Sequence, residues 1–150
     1  MNAKANNSID AIARDCLAVR VRLLNRVITN LYDAALRPLG LKVSQMNVLV
    51  VAAKLGLARP AHVCKILHLD ASTLSRNVER LLIKGWLEIV PDDDGRSQPF
   101  RVTPEGRKVL EEAIPVWQEA QRKASAILGA QGVGWLRAAT GKLDLDPAGE

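Results

Sequence analysis

The 150-residue sequence has few of the residues from which metal centres and enzyme active sites are built, with only two cysteines and two histidines. Two cysteines do not form a disulfide scaffold in a chain of this length. His62, Cys64 and His68 lie close together in the sequence and could be metal ligands. Cys16 is the one other cysteine or histidine that could complete a tetrahedral metal site with them. The sequence also has no glycine-rich phosphate loop and no nucleophile–base arrangement. It therefore predicts no metal, no cofactor and no enzymatic activity.

Long apolar runs are also absent. No stretch of about 18 apolar residues is present, which argues against a transmembrane helix. Residues 1–8 lead into no apolar signal core, so no export signal is predicted. Apolar residues make up 48% of the chain, which excludes a wholly disordered protein. These features predict one domain with a hydrophobic core, located in the cytoplasm.

The net charge of +5 is compatible with a nucleic-acid partner, but its distribution weakens that argument. Residues 1–58 hold eight lysines and arginines against three acidic residues. Residues 59–101 hold seven against six and are nearly neutral. The charge alone therefore does not establish a nucleic-acid partner.

Apolar residues at helical spacing predict a long first helix over residues 8–37, capped by Ser8 and stopped by Pro38. These residues lie on more than one helix face, which favours packing against a second subunit, with a long core helix as the alternative. A second helix is predicted over residues 45–55 with Ser44 as its cap. Because this segment contains several β-branched residues, a β-strand is the alternative prediction for it.

Two short helices joined by a tight turn are predicted in the middle of the chain. Pro60 lies near the first position of the shorter helix, and Asp70 can cap the following one. This second helix has an apolar stripe and an opposite polar surface, which is typical of a helix that enters a DNA major groove. An ordinary amphipathic surface helix is the alternative. The stripe consists of Leu74, Val78, Leu81 and Leu82.

A β-hairpin is predicted directly after these helices. Residues 86–90 alternate as a strand does, residues 91–99 are rich in turn formers, and residues 100–103 form a return strand. A hairpin in this position is a wing. The sequence thus predicts a mainly α fold with a small β-hairpin wing.

A last long helix is predicted to begin at Pro104, after a Thr103 cap, and to stop at Gly129. Pro115 predicts a kink within it. A weaker helix over residues 131–140 and a frayed tail over residues 143–150 follow. The predicted apolar side of the long helix consists of Val109, Ile114, Val116, Trp117 and Ala120.

This order of helices and hairpin resembles the MarR (multiple antibiotic resistance regulator) family of winged-helix transcription factors. The resemblance covers about residues 10–140. Its most specific part is Asp94-Gly95-Arg96-Ser97 followed by Val102-Thr103 and Gly106, at the spacing of the family pattern. Further similar segments are Pro38-Leu39-Gly40-Leu41, Leu69-Asp70, Ser72-Thr73-Leu74, Arg80-Leu81 and Gly85-Trp86-Leu87.

The resemblance implies a single domain over residues 1–150, with a winged helix-turn-helix over about 44–103. Residues 8–40 and 104–142 would be dimerisation helices. It further implies a homodimeric regulator, most simply a repressor, that binds a pseudo-palindromic operator in double-stranded DNA. Family members commonly bind a small, often phenolic effector that releases the DNA.

The resemblance also suggests roles for individual residues. Arg96 at the wing tip would enter a narrow minor groove, with Asp94 orienting its guanidinium. Arg76 is the candidate base reader, whereas Ser72 and Thr73 could instead bind phosphates and set the register. The candidate DNA-binding residues are Ser72, Thr73, Ser75, Arg76, Asn77, Arg80, Asp94 and Arg96.

Two alternatives stay open. Cys16 has Arg14 and Arg20 nearby, and some similar redox sensors have a reactive cysteine on the first helix, so oxidant sensing is one hypothesis. The reactive cysteine of similar redox sensors would fall at Ala18, and the alternative role of Cys16 is structural. A winged helix used only for protein contacts is the second alternative.

Overall fold

The computed structural model describes residues 3–93, 95 and 97–141. Helices dominate this part of the chain, and a single antiparallel hairpin follows the fifth helix, which confirms the predicted mainly α fold with a small β-hairpin. The elements are α1 (Ala3–Asp15), α2 (Leu17–Leu36), a 3₁₀ turn (Arg37–Leu39), α3 (Val43–Leu55), α4 (Pro60–Leu67), α5 (Ala71–Ile83), β1 (Leu87–Ile89), β2 (Phe100–Val102) and α6 (Pro104–Thr140).

The predicted first helix is in fact two helices. Cys16 separates α1 from α2 with an extended backbone, at φ −65° and ψ 107°. Asp15 favours this break, because a carboxylate is unfavourable at the end of α1 and favourable just before the start of α2. Ser8 lies inside α1 and does not cap a helix. The prediction of one uninterrupted helix capped by Ser8 is therefore wrong.

The segment with many β-branched residues forms the buried helix α3. The carboxylate Oδ1 of Asp33 accepts a hydrogen bond of 2.8 Å from the N–H of Val43. The Oε1 of Gln45 accepts one of 3.2 Å from the N–H of Lys42. These two acceptors satisfy amides at the start of α3, so the helix begins before Ser44, and the prediction of a Ser44 cap is wrong.

The main hydrophobic core is built around α3. Side chains from α4, α5, the hairpin and the start of α6 pack against it, and their burial supplies the main driving force for this arrangement. The largest fully buried members include Leu49, Val63, Leu74, Leu81 and Phe100. A second, smaller cluster joins α2 to α6 through Tyr32, Ala120 and Ala124.

The helix α6 begins and breaks where the sequence predicts. The Oγ1 of Thr103 accepts a hydrogen bond of 3.0 Å from the N–H of Gly106 and so caps the helix. Gly129 interrupts the helical backbone, at φ 68° and ψ 166°, whereas Pro115 keeps helical backbone angles. The predicted apolar side is only partly correct, because Ile114 is 51% exposed and Trp117 is 38% exposed.

Candidate nucleic-acid interface

A hydrogen-bonded cap fixes the start of α5. The Oδ1 of Asp70 accepts hydrogen bonds from the Ser72 hydroxyl at 2.5 Å and from the Thr73 N–H at 2.8 Å, and its Oδ2 accepts one from the Thr73 hydroxyl at 2.7 Å. These bonds, that of the Ser72 hydroxyl first, hold the pKa of the Asp70 carboxyl well below its usual range. The predicted cap is therefore confirmed.

The cap restricts what the two hydroxyls can do. A hydroxyl has one O–H donor, and both Ser72 and Thr73 give it to Asp70. In this arrangement neither hydroxyl donates to a phosphate, although each keeps lone pairs to accept a hydrogen bond. Arg76 uses one of these, since its Nη2 lies 3.5 Å from the Oγ1 of Thr73. Ser72 and Thr73 thus organise the first turn of α5.

The turn between α4 and α5 sets the position of the second helix. His68 ends α4 in the left-handed region at φ 50°, and the N–H of Leu69 donates to the Cys64 carbonyl at 3.0 Å. Val63 and Ile66 of α4 are buried, as is Leu74 of α5. The two helices therefore form one packed unit.

One side of α5 faces solvent along its length, as the polar surface of the predicted groove-entering helix requires. Ser72, Arg76 and Arg80 follow each other at intervals of four residues, so they form a row along the helix. Ser75 is exposed beside this row, and Thr73 is half-buried. We call the exposed residues Ser72, Ser75, Arg76 and Arg80 the polar face.

Asn77 does not belong to the polar face. It is only 6% exposed, and the Ser44 hydroxyl of α3 donates to its Oδ1 at 3.5 Å. A buried amide with a partner on the neighbouring helix stabilises helix packing. The prediction that Asn77 contacts DNA is therefore wrong, because its side chain points into the contact between α3 and α5.

The hairpin is held against the helices at its base. Strands β1 and β2 pair in antiparallel fashion, with Leu87 opposite Val102 and Ile89 opposite Phe100. Ala58, just before α4, adds a β-bridge to Phe100. Asp94 and Arg96, the predicted pair at the wing tip, lie outside the described residues.

Two contacts around the hairpin escape prediction from sequence. The Nη1 of Arg59 lies 2.6 Å from the Oδ2 of Asp92, 33 positions away. The Nζ of Lys84 donates to the carbonyl oxygen of Gly40 and lies 4.6 Å from the centroid of a Trp86 ring. Helical or strand periodicity pairs neither Arg59 with Asp92 nor Lys84 with Gly40, 44 positions away, so no sequence signal could have found these two contacts.

Cys16, the candidate redox residue, lies at the break between α1 and α2. Its thiol is free and half-buried. The guanidinium Nη2 of the nearby Arg20 donates to the carbonyl of Arg14 at 2.5 Å. The oxidant-sensing hypothesis stays a prediction, which is tested by whether Cys16→Ser removes a response of DNA binding to peroxide.

A mostly apolar pocket of about 510 Å³ opens between α3 and α6. Trp117 forms part of its wall, which explains why this side chain is not buried. Two cationic side chains, Lys54 and Arg107, also line it. The apolar lining is contributed by Met46, Val50, Ala53, Leu110, Ala113, Ile114 and Trp117.

Comparison with known proteins accounts for this arrangement. The MarR family sequence model matches residues 39–97, which include α3, α4, α5 and most of the hairpin loop. Over 93 residues the chain is 31% identical to the multiple antibiotic resistance protein MarR of Salmonella typhimurium. The chain is therefore similar in sequence to the MarR family. The alignment with that relative covers 61% of this chain and 65% of the Salmonella protein, so the chain spans less than two thirds of that relative's length.

Two solved structures of DNA complexes are similar to this chain. A mutant MarR from E. coli complexed with operator DNA has a TM-score of 0.76 at 23% identity, covering 87% of this chain and 94% of that one. This similarity shows the fold. The regulator MOSR from M. tuberculosis in complex with DNA has a TM-score of 0.71 at 27% identity, covering 84% and 96%. In the described part of the chain, no helix combines the length and the apolar character needed to cross a membrane.

Proposed function

We propose that this chain is a sequence-specific DNA-binding transcriptional regulator. The observation that carries the proposal is the polar face of α5, which starts at a rigid hydrogen-bonded cap and presents Arg76 and Arg80 to solvent. A packed helix pair with such a face suits insertion into a major groove. Its relatives MarR and MOSR, which have been solved with DNA, support this proposal.

In this proposal, some residues of the polar face contact DNA bases and others contact the DNA backbone. Arg76 lies in the second turn of α5, where its guanidinium can pair with O6 and N7 of a guanine. Arg80, one turn further on, is proposed to contact a phosphate. At the wing tip, the sequence pattern assigns the minor groove to Arg96, with Asp94 orienting it.

The protein is proposed to act as a homodimer. Outside the two cores, α1, α2 and the end of α6 expose large apolar side chains, and extensive exposed apolar surface marks an interface. Leu17 is 75% exposed, Val21 is 64% exposed and Trp135 is 73% exposed. Residues 8–40 and 104–142 would then form the dimer contact, and two α5 helices would read a pseudo-palindrome.

A small ligand is proposed to release the DNA, which makes the protein a repressor where its operator overlaps a promoter. The pocket between α3 and α6 supports this part of the proposal, because it lies between the DNA-binding unit and the helix that would form the dimer. A phenolic molecule bound there would favour a different separation of the two α5 helices.

Selection of DNA fragments by the purified full chain tests the proposal. We expect one enriched, two-fold symmetric sequence, and an affinity that falls steeply as salt rises. Repeating the selection with a small phenolic library tests release. No enriched sequence, or binding that is insensitive to salt, would contradict the proposal and favour a winged helix used for protein contacts.

A further inference from the structure

An ion pair joins the start of α4 to the loop of the wing. The Nη1 of Arg59 lies 2.6 Å from the Oδ2 of Asp92. Arg59 is the residue that precedes the first turn of α4, and Asp92 follows the end of β1 by three positions. The Asp92 side chain is 20% exposed and that of Arg59 is 55% exposed, so the pair lies at the surface with its acidic member mostly covered.

The same short segment also holds the other arm of the hairpin. Ala58 and Phe100 exchange two backbone hydrogen bonds, of 2.8 and 3.0 Å. Phe100 is fully buried, so this arm cannot shift without disturbing the core. Residues 58 and 59 therefore attach both arms of the loop, one through the backbone and the other through the ion pair.

Asp92 also shapes the loop itself. Its carbonyl accepts a hydrogen bond of 3.2 Å from the N–H of Gly95, while its carboxylate contacts Arg59. The direction in which the chain leaves Asp92 toward the wing tip thus depends on where Arg59 holds the carboxylate. Because α4 and α5 form one packed unit, a loop attached at Arg59 is also fixed relative to the polar face.

The charge of Asp92 would otherwise be a disadvantage for the proposed function. A carboxylate on a wing beside DNA repels the phosphates. Its ion pair with Arg59 offsets this repulsion, and the carboxylate then serves to hold the wing loop in position. An exposed ion pair contributes little to global stability, so its loss should affect the wing more than the fold.

We propose that Arg59 and Asp92 are positioning residues that set the angle of the wing relative to α5 and thereby its contact with DNA. This inference rests on the proposed DNA-binding function. Neither residue needs to touch the DNA. The alternative role for Arg59 is a direct phosphate contact, in which case Asp92 would only weaken binding.

Two variants that remove the same charge separate these roles. Asp92→Ala breaks the ion pair, whereas Asp93→Ala removes the charge of an exposed neighbour. Affinity is measured by fluorescence anisotropy on the DNA that the wild-type protein selects. If the two residues position the wing, Asp92→Ala should weaken DNA binding about two- to fivefold, which is the range expected for an exposed ion pair. This loss is expected even though the change removes a charge that repels the phosphates. Asp93→Ala should bind as tightly as the wild type or more tightly.

The double variant Arg59→Ala/Asp92→Ala completes the test. If the pair positions the wing, the double variant should lose less affinity than the sum of the losses in Arg59→Ala and Asp92→Ala, because either single change already breaks the contact. Hydroxyl-radical footprints should lose protection only at the flanks, where the wings lie, while the melting temperature stays unchanged. Lost protection across the whole site would point to a damaged fold and overturn the inference.

Other results contradict the inference in a recognisable way. If Arg59 binds a phosphate, Asp92→Ala binds at least as tightly as the wild type, and Arg59→Ala lowers the slope of log affinity against log salt by about one. That outcome overturns the positioning role and leaves the proposed function standing. If the wild-type protein selects no DNA, the proposed function fails and the inference fails with it.

Discussion

Lys84, directly after α5, donates a hydrogen bond from its Nζ to the carbonyl oxygen of Gly40, directly after the 3₁₀ turn that follows α2. The same ammonium lies 4.6 Å from the ring centroid of Trp86. One side chain therefore ties the end of α5, the proposed DNA-reading helix, to the segment that leads out of the proposed dimer contact.

Lys84→Met should lower the free energy of unfolding by about 1 kcal/mol, because it removes a charge-assisted hydrogen bond and a cation–π contact at an exposed site. Urea denaturation at a fixed protein concentration measures the change. Lys84→Arg keeps the charge and serves as the control. We expect its free energy of unfolding to lie between those of Lys84→Met and the wild type. Equal stability of Lys84→Met and the wild type would show that the contact has no energetic role.

The cap of α5 should make stability depend on pH in a definite direction. The folded state lowers the pKa of Asp70, so its carboxylate stabilises the fold at pH values above the unfolded pKa. This contribution is lost as pH falls from about 4, the ordinary pKa of aspartate, toward the lower folded pKa. Wild type and Asp70→Asn should therefore differ most in free energy of unfolding above about pH 5, and their difference should shrink in acid. A difference independent of pH would contradict the assignment.

Gly106 is predicted to tolerate no side chain. A Cβ at this position would collide with the carbonyl oxygen of Trp86, which belongs to the backbone and cannot move aside easily. Gly106→Ala should therefore lower the free energy of unfolding by about 1–3 kcal/mol, as overpacking does. Gly134→Ala is the matched control, because nothing lies within 4 Å of its added Cβ and alanine favours a helix. Thermal unfolding of both variants checks the contrast.

The exposed apolar side of α2 should be needed for dimer formation. Val21→Asp places a charge on this side, and we expect it to shift the protein toward monomer in analytical ultracentrifugation. Ile83→Asp, at the end of α5, changes an equally apolar residue that is 78% exposed and should leave the oligomeric state unchanged. A dimer that withstands Val21→Asp would place the interface elsewhere.

Local signals in the sequence were enough to predict most elements and the cap of α5. The Asp70 cap and the break at Gly129 depend on neighbouring residues, and both are confirmed. Helical spacing places Asn77 three residues after Leu74 and so predicts partial burial, but the extent of its burial depends on the approach of α3. The start of α3 likewise depends on Asp33, ten residues earlier. The errors thus lie where contacts between elements decide the outcome.

Two parts of the proposed site stay predictions. The sequence pattern assigns Asp94 and Arg96 to the wing tip, but both lie outside the described residues. The dimer is the second, and the exposed apolar surface of the chain indicates where it would form. One of the contacts that the sequence missed within the described residues is the pair Arg59 and Asp92, which attaches the wing.

The affinity of Arg76→Ala for the selected DNA tests the central claim most directly, with Arg122→Ala on α6 as the control. Arg122 is an exposed arginine that pairs with Glu119, so its loss removes the same charge away from the polar face. We expect Arg76→Ala to lose about 1–3 kcal/mol of binding free energy and its preference at one base pair of each half-site. Arg122→Ala should bind like the wild type. Equal affinity and equal base preference in the two variants would contradict the claim that the polar face of α5 reads DNA.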